Sequence, residues 1–189
     1  MDLRLLDHQE FLDVQDQTPT ATDPSLPQQW QPPDENKFKV NFDAAVFKSC
    51  NQAGLGVIVQ DWRGEVIGAL STSVPAAQTV VELEALACRR AVLFAVELGL
   101  QDVVFEGDSL QVIQALNLDS TDHLTYGHIL EDIRTQVTAL SSVEFIFNTR
   151  HCNVVADALA KKAKNCRETR VWTDFMPEDI ASLVIFDIH

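Results

Sequence analysis

Positive charge is what this sequence is short of. Its 189 residues carry 14 Lys and Arg against 28 Asp and Glu, a formal net charge of -14, which taken alone argues against a protein that grips a polyanion by surface charge. Residues 99–124 contain no Lys or Arg, and residues 1–36 set only Arg4 against a series of acids. The one basic cluster is Lys161, Lys162, Lys164, Arg167 and Arg170, interrupted by Glu168. Cysteine is sparse and unpatterned. Cys50, Cys88, Cys152 and Cys166 form no CxxC pair, so neither a zinc knuckle nor a disulfide framework is indicated, and idle thiols in a reducing compartment are the simpler reading. No apolar run approaches the roughly 18 residues of a membrane span. The opening Met1-Asp2-Leu3-Arg4 lacks the basic flank and apolar stretch of a signal segment, so a nuclear or cytoplasmic location away from membranes is expected. Seven Gly, seven Pro and no internal repeat leave a globular composition, with 46% hydrophobic residues to build a core.

Periodicity divides the chain into three parts. Residues 1–36 are acidic, rich in Gln and Pro and without sustained period, which predicts a disordered tail or linker with at most a transient helix over Leu3–Val14. Order is expected from Lys37. Phe38, Val40 and Phe42 share one face of a strand, and Lys39, Asn41 and Asp43 the other. Leu55–Gln60 and Glu65–Val74, joined through Arg63-Gly64, complete an antiparallel meander ended by Pro75. Thr79–Leu98 has no Gly or Pro and is rich in Ala, Leu and Glu, a helix closed by Gly99. A strand at Asp102–Glu106, helices at Ser109–Leu116 and Leu124–Leu140, a strand at Val143–Phe147 and a helix from Val154 to Lys164 follow. A meander leading into helix-linked strands implies a mixed sheet with helices on both faces. The parts are then a tail over 1–36, a domain over 37–166 and a C-terminal extension over 167–189.

Four acids stand where packing does not want them. Asp43 lies on a strand that should be central. Glu84 aligns at 100° per residue with Cys88, Ala91, Ala95 and Leu98, while Glu82 shares the polar side with Arg89, Arg90 and Glu97. A carboxylate on a core face is costly unless it is protonated, paired or on a metal. Asp108 follows an apolar strand and precedes a helix, and Asp157 lies in the first turns of another. The three aspartates have ordinary alternatives: a strand-end Asp at 43, a capping box in Asp108-Ser109-Leu110-Gln111, and dipole compensation at Asp157 behind an Asn153 cap. Together they suggest a carboxylate cluster that repels itself unless hard divalent cations neutralise it, and oxygen-only donors favour Mg²⁺ or Mn²⁺ over zinc.

The residues also resemble a known family. Asn41-Phe42-Asp43, the run Ala53–Asp61 with Gly64, Glu84-Ala85-Leu86-Ala87, Glu106-Gly107-Asp108-Ser109 and Asn153–Ala160 are similar to the plant ribonuclease H-like domain that often ends the reverse-transcriptase polyproteins of non-LTR retroelements. Trp30-Gln31-Pro32-Pro33, Val171-Trp172 and Pro177 extend the likeness. The resemblance implies a ribonuclease H-like α/β fold, a mixed five-stranded sheet of order 3-2-1-4-5 with helices on both faces, and hydrolysis of the RNA strand of RNA/DNA hybrids. Its metal-binding and catalytic carboxylates fall on Asp43, Glu84, Asp108 and Asp157, holding two Mg²⁺ or Mn²⁺ ions with Asp43 bridging. Gly54, Gly56 and Asn153 become candidates for contact with 2′-hydroxyls, and Lys161 and Lys162 for the backbone. Bacterial relatives carry a loop His before the last Asp; His151, six residues ahead of Asp157, is an auxiliary candidate that aligns loosely. A monomer is expected, either free or as part of a larger reverse-transcriptase polyprotein. Two further readings stay open: a weak or inactive nucleic-acid-binding or assembly module, and another metal-dependent phosphoryl transferase on the same fold.

Overall fold

The computed structural model describes residues 29–118, 124–165, 168–173 and 175–188. The expected tail up to residue 28, with its Leu3–Val14 helix, and Cys166 and Arg167 lie outside them. The meander forms as the alternation requires. Strand β1 (Phe38–Phe47) pairs antiparallel with β2 (Gln52–Asp61), and β2 with β3 (Val66–Pro75). Both turns have local causes. Asn51 sits at φ 51 between β1 and β2, and the Asp61 carboxylate accepts the Arg63 and Glu65 amides at 2.9 Å while Gly64 takes φ 79. Strand β1 outruns its expected end at Asp43, because the hairpin register continues to Phe47 opposite Gln52.

Helix α1 (Val80–Glu97) starts on Thr79, whose hydroxyl accepts the Glu82 amide at 3.2 Å while the Glu82 carboxylate accepts the Gln78 amide at 3.1 Å. Gly99, at φ 72, follows its C-terminal end. Strand β4 (Asp102–Gly107) returns parallel to β1, helices α2 (Leu110–Asn117) and α3 (Gly127–Val137) follow, and β5 (Ser142–Phe147) lies parallel to β4. Helix α4 (Val154–Lys162) comes next.

The sheet then gains a strand that the five-stranded expectation lacks. Arg170–Trp172 forms β6, antiparallel to β3, for an order of β5-β4-β1-β2-β3-β6, and helix α5 (Glu178–Ile188) follows it. Two apolar layers sandwich the sheet. On one face Val40, Phe42, Leu55, Val57 and Val59 meet α1, α2 and α3. On the other, Ile58 and Ala69 meet Val155 and Leu159 of α4 and Ile180 and Val184 of α5. Ile180 and Val184, in the stretch read as an extension, thus supply part of the second layer. Order also begins earlier than Lys37, since Trp30 is buried at 3% exposure. No helix among the described residues is long and apolar enough to cross a membrane.

Candidate active site

Strand β1 is the middle of the sheet, and Asp43 sits within it opposite Gly56 at 3% exposure. Glu84 lies on the core side of α1, where the helical phase placed it, at 6% exposure. Asp108 follows the last residue of β4. The capping alternative for it does not hold: Ser109 is the N-cap of α2, and no side-chain capping hydrogen bond forms at that end. Instead one carboxylate oxygen each from Asp43, Glu84 and Asp108 lies within 4.8 Å of the others. Three separate elements, a central strand, a helix on one face and the end of a neighbouring strand, deliver these groups to one point.

Burial and mutual repulsion oppose three charges there. Burial, followed by the Asp108 and Asp157 carboxylates, pushes Asp43 up to about 8. Burial, then Asp43 and Asp108, holds Glu84 well above the ordinary carboxylate range. Asp108 is also raised, chiefly by burial. Cys88 lies one turn below Glu84, fully buried, and burial raises its thiol as well. Asp43 Oδ2 and Glu84 Oε2 are buried and accept no hydrogen bond. Such oxygens are costly in a protein interior unless protonated or ligated. The donor set is oxygen alone, which suits a hard divalent cation, and Mg²⁺ or Mn²⁺ fits these residues.

Asp157 belongs to the same end of the sheet but is engaged differently. It lies in the first turn of α4, and its carboxylate accepts from Arg150 Nη2 at 3.3 Å and from Lys161 Nζ at 2.5 Å. Arg150 was not singled out by sequence, where His151 drew attention. Its charge acts on Asp43, Glu84 and Asp108 as well as Asp157. The available signal was its place in the short loop ahead of Asp157. His151 is exposed on the 3₁₀ turn Arg150–Cys152 and does not join the three-carboxylate group.

The candidate substrate contacts have structural duties that sequence could not show. A Cβ at Gly54 would collide with the Ala160 carbonyl oxygen and one at Gly56 with the Ala156 oxygen and Ala160 nitrogen, so both glycines admit α4 against β2. Asn153 is 1% exposed, and its Nδ2 donates to the Phe42 carbonyl at 2.9 Å, fastening the start of α4 one residue before Asp43. It does not cap the helix with its side chain. Lys161 is exposed and paired with Asp157; Lys162 pairs with Asp179 of α5 at 2.7 Å.

A family model for reverse transcriptase-like proteins matches residues 41–163, the stretch that carries all four carboxylates. The chain belongs to this family. Among solved structures, this reverse transcriptase-like chain is similar to RNase H1 from the halophilic archaeon Halobacterium salinarum, with 24% identity and a TM-score of 0.62 over 67% of this chain and 96% of that one. LC11-RNase H1 in complex with RNA/DNA hybrid gives 21%, 0.60, 67% and 95%. The foamy viral protease-reverse transcriptase in complex with RNA/DNA hybrid gives 18% and 0.56, over 84% of this chain and 24% of that one. These likenesses establish the ribonuclease H fold. No curated protein matches the reverse transcriptase-like chain in sequence.

The raised carboxyls fix how its stability depends on pH. Asp43 holds its proton to about 8 when folded, against 3.8 as the ordinary value. The stabilisation this gives is full below the ordinary value and is lost as pH rises through about 8; Glu84 and Asp108 act in the same direction. The melting temperature of the metal-free chain is therefore expected to fall from about pH 5 to about pH 9 as these groups ionise. Mg²⁺ should raise it most at the alkaline end, where it meets three charges. Melting curves across that range, with and without chelator, test this; a Mg²⁺ effect independent of pH contradicts it.

Proposed function

We propose that this chain hydrolyses the RNA strand of RNA/DNA hybrids with divalent metal ions. The observation that carries the proposal is the buried convergence of Asp43, Glu84 and Asp108, with oxygens that have no partner. The fold supports it, and two of its solved neighbours are described in complex with RNA/DNA hybrid. Bound at such carboxylates, Mg²⁺ or Mn²⁺ supplies a water of lowered pKa and positive charge for the developing phosphorane and leaving oxygen. Asp43, Glu84 and Asp108 would hold one ion, and Asp43 with Asp157 a second. In holding the second, Asp157 would exchange its pairing with Arg150 and Lys161 for the cation. Those two side chains would then be available beside the site to a phosphate of the substrate. The net charge of -14 makes binding weak without metal and strongly salt-dependent.

The test is a gel assay on labelled RNA/DNA hybrid, double-stranded RNA and double-stranded DNA with Mg²⁺ or Mn²⁺. Cleavage confined to the RNA strand of the hybrid, and stopped by chelator, is expected. The pairing of Asp157 with two cations favours one other reading, a binding or assembly module without turnover. Binding of hybrid with no cleavage at millimolar metal would establish that reading instead.

A further inference from the structure

Behind the carboxylates lies a second buried group that the reaction does not use. Lys39 Nζ meets Glu106 Oε1 at 2.6 Å, with both side chains almost wholly buried. The other Glu106 oxygen accepts Asn41 Nδ2 at 3.3 Å and Asn148 Nδ2 at 3.1 Å. Trp30 closes the group: its Nε1 donates to Asn41 Oδ1 at 3.1 Å, and its ring lies 5.3 Å from Lys39 Nζ, which also donates to the Gln31 carbonyl at 2.6 Å. A buried ion pair is a poor device for stability, because desolvating two charges offsets most of their attraction. Its position suggests another use.

The parallel pairing of β1 with β4 runs from Phe38 opposite Val103 to Asn41 opposite Glu106, and there it ends. Asp43 and Asp108 each lie two residues beyond that last rung. Beyond it the two strands are no longer paired, and the side chains of Asn41 and Glu106 join at the last rung. Asn148 ties in the third strand, through its side chain to Glu106 and its backbone N–H to the Gly107 carbonyl at 3.0 Å. Lys39, Asn41 and Asp43 share one face of β1, so the group runs along that face up to the site.

We infer that the Lys39–Glu106 pair, with Asn41, Asn148 and Trp30 around it, is a positioning device that sets the separation of the Asp43 and Asp108 carboxylates and so the affinity of the site for divalent cations. This rests on the metal reading of the site proposed above. Outer partners of metal-ligating groups typically change metal affinity by about 10- to 100-fold.

The test is calorimetric titration of the full chain with Mn²⁺, alongside melting curves, for the parent, Glu106→Gln, Lys39→Met and Asp43→Asn. Electrostatics alone predicts opposite signs: losing the Glu106 charge weakens cation binding, and losing the Lys39 charge strengthens it. A positioning role predicts that both weaken it, by about 10-fold or more, in proteins that still melt cooperatively. Lys39→Met binding Mn²⁺ as tightly as the parent, or tighter, overturns the inference. Should either variant fail to fold, Trp30→Phe keeps an aromatic side chain beside Lys39 and removes the donor to Asn41. It is expected to weaken Mn²⁺ binding several-fold, and unchanged affinity there is equally decisive against the inference. A parent chain that binds no Mn²⁺, or one in which Asp43→Asn binds as well as the parent, overturns the metal reading itself.

Discussion

Asp43→Asn is expected to reduce cleavage of RNA/DNA hybrid by about 1,000-fold or more, corresponding to roughly 4 kcal/mol of lost transition-state stabilisation. It should also make the metal-free protein more stable. Asp43 is the most central of the three carboxylates, on the strand flanked by β2 and β4, and under the proposed mechanism it is the one group shared by both ions. Asparagine keeps the shape but is a far weaker ligand for a hard cation. It also removes a carboxyl whose ionisation burial, Asp108 and Asp157 oppose, and which the fold must therefore keep protonated up to about 8. Activity and stability should therefore move in opposite directions, which separates loss of chemistry from loss of fold. The pH dependence of melting should flatten in this variant, because the group held up to about 8 is gone. Initial rates on hybrid, with melting curves at about pH 8, read both effects. Retained cleavage contradicts the assignment of Asp43; a lowered melting temperature contradicts the electrostatic account.

Gly56→Ala is expected to destabilise the protein by about 3 kcal/mol or more, the upper end of overpacking. Against a total stability of about 5–15 kcal/mol, that is a large share. The added methyl would meet the Ala156 oxygen, the Ala160 nitrogen and the Leu159 carbonyl carbon, all of them backbone of α4. No rotamer change relieves such a collision. Helix α4 must shift as a body, straining the Asn153 bond to Phe42 and the Ser71 hydroxyl's bond to the Leu159 carbonyl, 2.8 Å long. The ordinary benefit of replacing glycine, about 0.4–1 kcal/mol through the unfolded chain, is too small to compensate. Urea denaturation measures this directly. A variant within about 1 kcal/mol of the parent would mean that α4 yields more easily than core packing allows.

What was legible in the sequence followed from local pattern. Alternation gave β1 its two faces, helical phase separated Glu84 from Glu82, and the Thr79 and Gly99 signals bounded α1 to within one residue. What was not legible depends on partners distant in sequence. Arg170–Trp172 is too short to show a period, and becomes a strand only because Ala69–Ser71 is there to pair with it. Lys39 reads as a polar-face residue until Glu106, on another strand, buries it. Asn153 reads as a cap, yet its partner is the carbonyl of Phe42, 111 residues away. Arg150 lacks any periodic signal, since its importance lies in where a loop sets its guanidinium. Gly54 and Gly56 read as candidate substrate contacts, and the backbone that lies against them belongs to α4, about 100 residues away.

The two cations on Asp157 give this end of the sheet a thermodynamic property. Under the proposed function, a metal ion at the Asp157 carboxylate would compete with Arg150 and Lys161, and an anion that takes either side chain would loosen its hold on the same carboxylate. The two binding events would then share one exchange, and each would strengthen the other by the same factor. Metal affinity measured on the protein alone would therefore underestimate the affinity it has when a polyanion lies across the site.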